Sequence, residues 1–454
     1  MPWREWIQVS VGFSLMLNTW GLVNAFGVFQ EYYSAFSPPL SSPSSISWIG
    51  SLQLFCLLGF GSATGSFVDR GFARRMAFVG CSCITLAIIL TSLSGEFTAQ
   101  KRPVFYQVIL SQGVLSGIGM SLLLVPSTAI VPTYFSKNRA LAVGIANSGA
   151  SIGGIIYPIL VRRLLVTMGF NWAMRVTALV VLVTANAATF LLRQRRELTR
   201  NPAKRTLYEF RCLLEPQYIL FVLGVALSFA GLFIPYFYIT TWVRDTGVSL
   251  NGMQPYYLIS ILNAGGLVGR IAPSIVADRL KSGPALVQSV AAIGCGALAG
   301  GWTYVDSSFP GLIVWALAYG FLSGSVISLI PATAAMLTPD MSRLGGRIGI
   351  VFAANALGSL IGNPVAGVIM KSTEGGWRGL SLYCATLELA GGSLLLPVAD
   401  DLVPKSAYNS FSEPVNDQIC GGLTCVQIRK ECQELGTAVS RTRTPLTLIY
   451  PLVL

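Results

Sequence analysis

The residue best able to do chemistry in this chain is Arg270, which lies inside the apolar run ILNAGGLVGRIAPSIVADR (261–279). A charge in hydrocarbon is costly and is by default a functional candidate. A guanidinium offers five donors and does not give up its proton, so it binds carboxylates and similar anions rather than catalysing. Arg270 is eight residues before Asp278, about 12 Å along a helix. Two readings stay open: it snorkels to the cytosol, or it faces a central cavity and holds an anionic solute. Asn263, seven residues earlier, falls on nearly the same helix face. Asn24, Asn147 and Asn355, carboxamides within other apolar runs, complete the candidate substrate-binding set. Glu388 is the other charge within an apolar run; a peripheral structural role is expected for it.

Other chemistries lack their residues. The chain has no histidine, so imidazole catalysis and proton relay are absent. Its nine cysteines are scattered and have no histidine partners, which argues against a metal site. No GxxxxGK[ST] loop is present to hold ATP. No enzyme activity, cofactor or metal is expected. The net charge of +12 falls between apolar spans, the pattern of membrane topology rather than of nucleic-acid binding.

The elements that position these residues are membrane spans. Of 454 residues, 53% are hydrophobic and 11% charged, against about 25% charged in soluble domains. With about 20 residues needed per crossing, twelve spans are read, near 7–33, 47–68, 76–95, 104–132, 139–164, 171–192, 217–242, 254–277, 285–305, 309–337, 347–370 and 378–397. The fold class is an all-α polytopic membrane protein with two six-helix bundles, 1–192 and 217–397. Between them, 193–216 forms a central loop. Arg193–Glu215 carries seven basic residues, which places the loop in the cytosol and, with an even number of spans on each side, both termini too. The polar segment 398–454 is expected to be a disordered cytosolic tail.

The halves repeat one another. RALAVGIAN (139–147) matches RIGIVFAAN (347–355), an offset of 208, and GMSLLLVP (119–126) matches GSVISLIP (324–331). Asp69 and Arg70 match Asp278 and Arg279. Parallel repeats of this kind mark transporters. The recurring acid–base pairs are expected to latch a cytosolic gate between the halves. The small residues after Arg139, among them Gly149, Ser151, Gly153 and Gly154, allow close helix approach. Together with the matching face of the eleventh span, they are expected to form sliding surfaces. Pro235 in GLFIPYFYITTW (231–242) suggests a bent, cavity-lining wall, with lipid-facing aromatics as the alternative.

GVFQEYYS (27–34), GSFVDRGFARR (65–75), PTYFSKNRALAVGIANSGASIGGIIYP (132–158), ILNAGGLVGRIAPSIVADR (261–279) and GRIGIVFAANALGSLIGNPVAG (346–367) carry a resemblance over nearly all of 7–397. The chain resembles the major facilitator superfamily, and within it the fungal monocarboxylate-porter-like family. That resemblance implies alternating access around a central cavity, with the Asp-Arg pairs at the cytosolic gate. It also implies that Arg270 matches the substrate-binding arginine of animal monocarboxylate carriers. Those carriers place an aspartate one turn earlier, where this chain has Gly266, and a lysine in the first span, where it has none. A coupled proton is a candidate partner without that machinery. The expected function is secondary transport of a small organic solute, a carboxylic acid or other acidic metabolite, across the plasma membrane. The alternative is an exporter dedicated to a fungal secondary metabolite.

Overall fold

The computed structural model describes residues 3–34, 42–69, 71–94, 104–135, 139–193, 210–279, 283–305, 309–338, 344–372 and 376–400. A backbone in hydrocarbon must satisfy its own hydrogen bonds, so the apolar runs fold as helices. They are α1 (Trp3–Asn24), α2 (Phe26–Ser34), α3 (Pro43–Asp69), α4 (Ala73–Leu93), α5 (Phe105–Val108), α6 (Ser116–Tyr134), α7 (Arg139–Leu191), α8 (Pro216–Leu232), α9 (Ile234–Thr246), α10 (Tyr257–Arg279), α11 (Gly283–Gly301), α12 (Phe309–Met336), α13 (Leu344–Ser372) and α14 (Gly376–Asp400). A π-helical turn, Ile109–Leu115, joins α5 to α6.

Eleven helical segments among the described residues are long and apolar enough to cross a membrane. One of them, Ala142–Leu191, has 50 residues. It breaks at Gly169 (φ 74°, ψ 172°), a conformation that glycine adopts without steric cost. Counting it as two passes gives the expected twelve. The last helix runs to Asp400, three residues past the expected end of its span. The segment beyond Asp400, read as a tail, lies outside the described residues.

Two passes are interrupted. The first breaks between α1 and α2 at Ala25, and the seventh between α8 and α9 at Phe233. Pro235 explains the second break, since it has no N–H to donate and fits a helix's first turn; it sits at the start of α9. Asn24 and Leu232, the last residues before each break, are 208 apart, the offset of the sequence repeat. Paired interruptions at equivalent places in two halves point to a binding region between them. The aromatics after the second break, Phe233, Tyr236, Phe237, Tyr238 and Trp242, are buried, so they form an interior wall rather than a lipid face.

The small-residue stripe divides its work, which corrects the expectation of a sliding surface. A Cβ on Gly149 would strike the backbone of Phe13, and one on Gly153 would strike Leu17 and Gly21, all on α1. Likewise Gly358 and Gly362 of α13 press on Ala226 and Ala230 of α8. These contacts lie within one half each, so enlarging Gly149 acts on bundle folding. Ser151 and Gly154, in contrast, look across, toward α10. Between the halves, α7 packs on α10, α3 on α13 and α2 on α9.

Candidate solute-binding site at the two helix breaks

Arg270 is 7% exposed and its Nε has no hydrogen-bond partner. It does not snorkel. Side chains on a helix lean toward its N-terminus, which carries Arg270 back toward Gly266. A Cβ at Gly266 would lie 3.5 Å from Ser151 Oγ and 4.0 Å from the Tyr236 hydroxyl. The Tyr236 and Ser323 hydroxyls are 3.0 Å apart. The Ser151 hydroxyl is buried without a partner. Three helices, α7, α9 and α12, thus bring hydroxyl groups to the stretch of α10 that carries the buried guanidinium, with Tyr236 near enough to act on it electrostatically. No described ion pair involves Arg270. A cation and hydroxyls left with unused hydrogen-bonding capacity can hold an anion that brings its own acceptors.

The expected asparagines part company here. Asn24 donates to Asn263 Oδ1 at 2.6 Å, and Asn263 Nδ2 donates to the Ile259 carbonyl at 2.9 Å. Both were read as solute ligands, yet in this conformation they bind each other across the two halves. Gly154 makes room for them, because a Cβ there would overlap the Asn263 carboxamide. Asn147 is half-buried with its Oδ1 unpartnered, and it sits one turn from Ser151 on the same face of α7. Asn355 on α13 is fully buried with both amide atoms unpartnered. No described contact joins either to Arg270. The expected gate residues Asp69, Arg70, Asp278 and Arg279 have side chains outside the described residues.

Tyr236, Ser323 and Ser151 were missed as site residues. Tyr236 had a signal in Pro235; the two serines had none, since a serine in a small-residue stretch reads as packing. Arg347, the repeat's partner of Arg139, was also missed. It is buried, makes a two-pronged pair with Glu215 and donates to the Leu337 carbonyl at 2.9 Å. It therefore ties the end of the central linker to α13.

Among the described residues, hydrogen bonds between the halves gather toward one end. Besides Asn24 with Asn263, Ser44 donates to the Pro364 carbonyl (2.9 Å), Thr240 to Gly27 (3.2 Å) and Ser260 to Ile155 (3.1 Å). Arg244 donates to the Glu31 carbonyl (3.2 Å) and to Ser34 Oγ (3.3 Å). The Phe26 and Phe237 rings, 4.7 Å apart, and the stacked Trp20 and Phe233 rings pack alongside. All these bonds lie from mid-helix to the end away from the central linker, so the described conformation is closed there. Asn24→Ala would leave Asn263 Oδ1 buried without its donor, a loss of about 1–3 kcal/mol, or roughly 5- to 150-fold in the closed population. A membrane-impermeant maleimide should therefore alkylate a cysteine at Thr241 at least about 5-fold faster in Asn24→Ala. An unchanged rate would mean that the amide pair does not hold this end shut.

The comparisons agree with this fold. A sequence profile described as the Major Facilitator Superfamily matches residues 9–339 and 274–448. The MFS-type transporter dbaD of Emericella nidulans is 37% identical over 391 residues, covering 86% of this chain and 85% of that protein. The agnestins efflux protein AgnL12 of Paecilomyces divaricatus is 36% identical over 391 residues, covering 86% of each chain. A crystal structure of a D-xylose–proton symporter superposes with a TM-score of 0.66 at 14% identity, over 88% of this chain and 98% of that one, a likeness of fold alone. These relatives support the superfamily and do not single out monocarboxylate porters. Two repeated six-pass halves, broken helices at equivalent places and a buried cation between them are the parts of a membrane transporter, and this chain belongs to the Major Facilitator Superfamily.

Proposed function

We propose that this transporter exports a small acidic organic metabolite across the fungal plasma membrane by alternating access. The observation that carries the acidic character is Arg270, buried with unused donor capacity beside the seventh-pass break. The neighbouring aromatic rings of Tyr236, Phe233 and Trp20 favour a solute with a planar apolar body. Export, rather than uptake of simple carboxylic acids, is favoured by the similarity to an agnestins efflux protein. The seven basic residues of Arg193–Glu215 favour a cytosolic linker and N-terminus. The end closed by the cross-half bonds is then the outer one, and the halves 1–192 and 217–397 are the moving bodies.

The test is deletion of the gene in its native fungus, with mass spectrometry of acidic metabolites inside and outside the cells. Export predicts that at least one acidic metabolite shifts from medium to mycelium and that re-expression reverses the shift. An unchanged partition, combined with transporter-dependent uptake of labelled simple carboxylates in yeast, would overturn export in favour of an importer.

A further inference from the structure

One further buried charge has no place in the solute site and, unlike Glu31 and Arg347, makes no described ion pair. Glu388 on α14 has 0% exposure, and neither carboxyl oxygen has a hydrogen-bond partner. It packs on Gly231, two residues before the seventh-pass break, where a Cβ would meet Glu388 Cγ at 3.2 Å. The groups facing it are few. α8 presents the Ser228 hydroxyl, which lies beside the carboxyl. α11 presents the Cys295 thiol and α12 the Tyr319 hydroxyl, and α14 itself adds Cys384. α13, also packed on α14, presents no described titratable group to it.

No counter-charge faces it among the described residues. α8, α11 and α12 carry no lysine or arginine, the α13 bases are Arg347, paired with Glu215, and Lys371 in its last turn, and the chain has no histidine. The base on α14, Arg378, is ten residues away, about 15 Å along the helix. An ionised carboxylate buried without a partner is strongly disfavoured. A neutral carboxyl is compatible with this pocket and can donate to Ser228 after a small rotation.

The location is as telling as the burial. Tyr319 donates to the Leu232 carbonyl at 3.1 Å and the Cys384 thiol to the Gly231 carbonyl at 3.4 Å. These are carbonyls that end α8 at the break. The Tyr319 ring is 6.4 Å from that of Tyr236, whose hydroxyl borders the Arg270 site. A line of contacts thus runs from Glu388 past the break to the solute cation.

We propose that Glu388 is the proton-binding site that couples this transporter to a proton gradient. In the described conformation it holds one proton. Repacking of the α8–α9 break admits water, and the proton leaves to that water on the side then open. The same break carries Tyr236, so proton occupancy and solute occupancy act on one hinge. This rests on the transport reading above, and its first test needs no solute.

Purified wild type and Glu388→Gln, which is isosteric with the neutral acid, are reconstituted in liposomes and compared by infrared difference spectroscopy across a pH titration. Wild type should show the carbonyl stretch of a protonated carboxyl that titrates and is missing from Glu388→Gln. Identical spectra would overturn the proposal, whatever the solute proves to be. The second measurement is movement of a panel of labelled aromatic carboxylic acids, with and without a pH gradient. Glu388→Gln should retain exchange of any acid that wild type moves while losing gradient-driven accumulation at least tenfold. Retained accumulation, or loss of exchange together with accumulation, would overturn coupling through Glu388. If wild type moves none of the acids, the export reading fails on this panel while the infrared result still decides the proton site.

Discussion

Arg270→Ala should abolish transport of acidic solutes while leaving the amount and folding of the protein unchanged. The two halves of that expectation have separate causes. Arg270 is buried, makes no described ion pair, and leaves Nε unpartnered, so its removal breaks no described side-chain hydrogen bond or ion pair and relieves a desolvation cost. The solute's acidic group, in contrast, loses its counter-charge in a water-poor site. Removing one partner of a buried ion pair costs about 3–5 kcal/mol, equivalent to roughly 10²- to 10³-fold or more in affinity. The loss should be confined to acids: a methyl ester of the same solute should move equally in wild type and variant. Arg270→Lys should recover only part of the function, because an ammonium lacks the planar fork that meets a carboxylate with two bonds. Counterflow assays at matched surface expression check all three. A variant that fails to reach the membrane, or that transports acid and ester alike, would assign Arg270 to structure.

The second large effect is expected at Gly266→Asp. The site accepts a side chain, since the contacts around its Cβ position begin at the Gly320 carbonyl, 3.4 Å away. An aspartate there stands one turn from Arg270, at the spacing that brings acid and base together on a helix. Its carboxylate would occupy the guanidinium and reach the Tyr236 and Ser151 hydroxyls, taking the groups offered to the solute. Apparent affinity for acidic solutes should fall about 10²-fold, the scale of a buried charge pair that the solute must displace. Gly266→Asn, similar in size and uncharged, should lose less than about tenfold, the scale of a single neutral hydrogen bond. Equal losses in the two variants would show that bulk, not charge, is at work.

Both effects were in part legible in the chain. A lone arginine in an apolar run announces itself because its cost in hydrocarbon demands a use. Its escape to the surface was an equally open reading, and burial among α7, α9, α10 and α12 closed it. Glu388 announced itself in the same way, and a peripheral structural role was expected for it, but its side chain is fully buried. It faces inward, because the apolar run around it marks membrane depth and leaves open which side meets lipid. Gly149 and Gly154 show the same limit. They are five residues apart in one stripe, yet one presses on α1 within its own half and the other makes room for Asn263 from the opposite half.

By itself the sequence determined the membrane class, the crossings, the repeat and the interruption at Pro235, because these follow from local rules, whereas the breaks at Ala25 and Gly169 appeared only in the structure. Hydrophobic length sets a crossing, a proline without an N–H sets an interruption, and an offset of 208 residues sets the kinship of the halves. Only the tertiary structure decided which polar groups spend their hydrogen bonds on one another. Asn24 and Asn263 are 239 residues apart, and each alone reads as a free ligand. Their satisfaction depends on a pairing across two halves in one conformation. A buried polar group must find a partner somewhere, but one sequence does not say whether that partner is the protein or the solute.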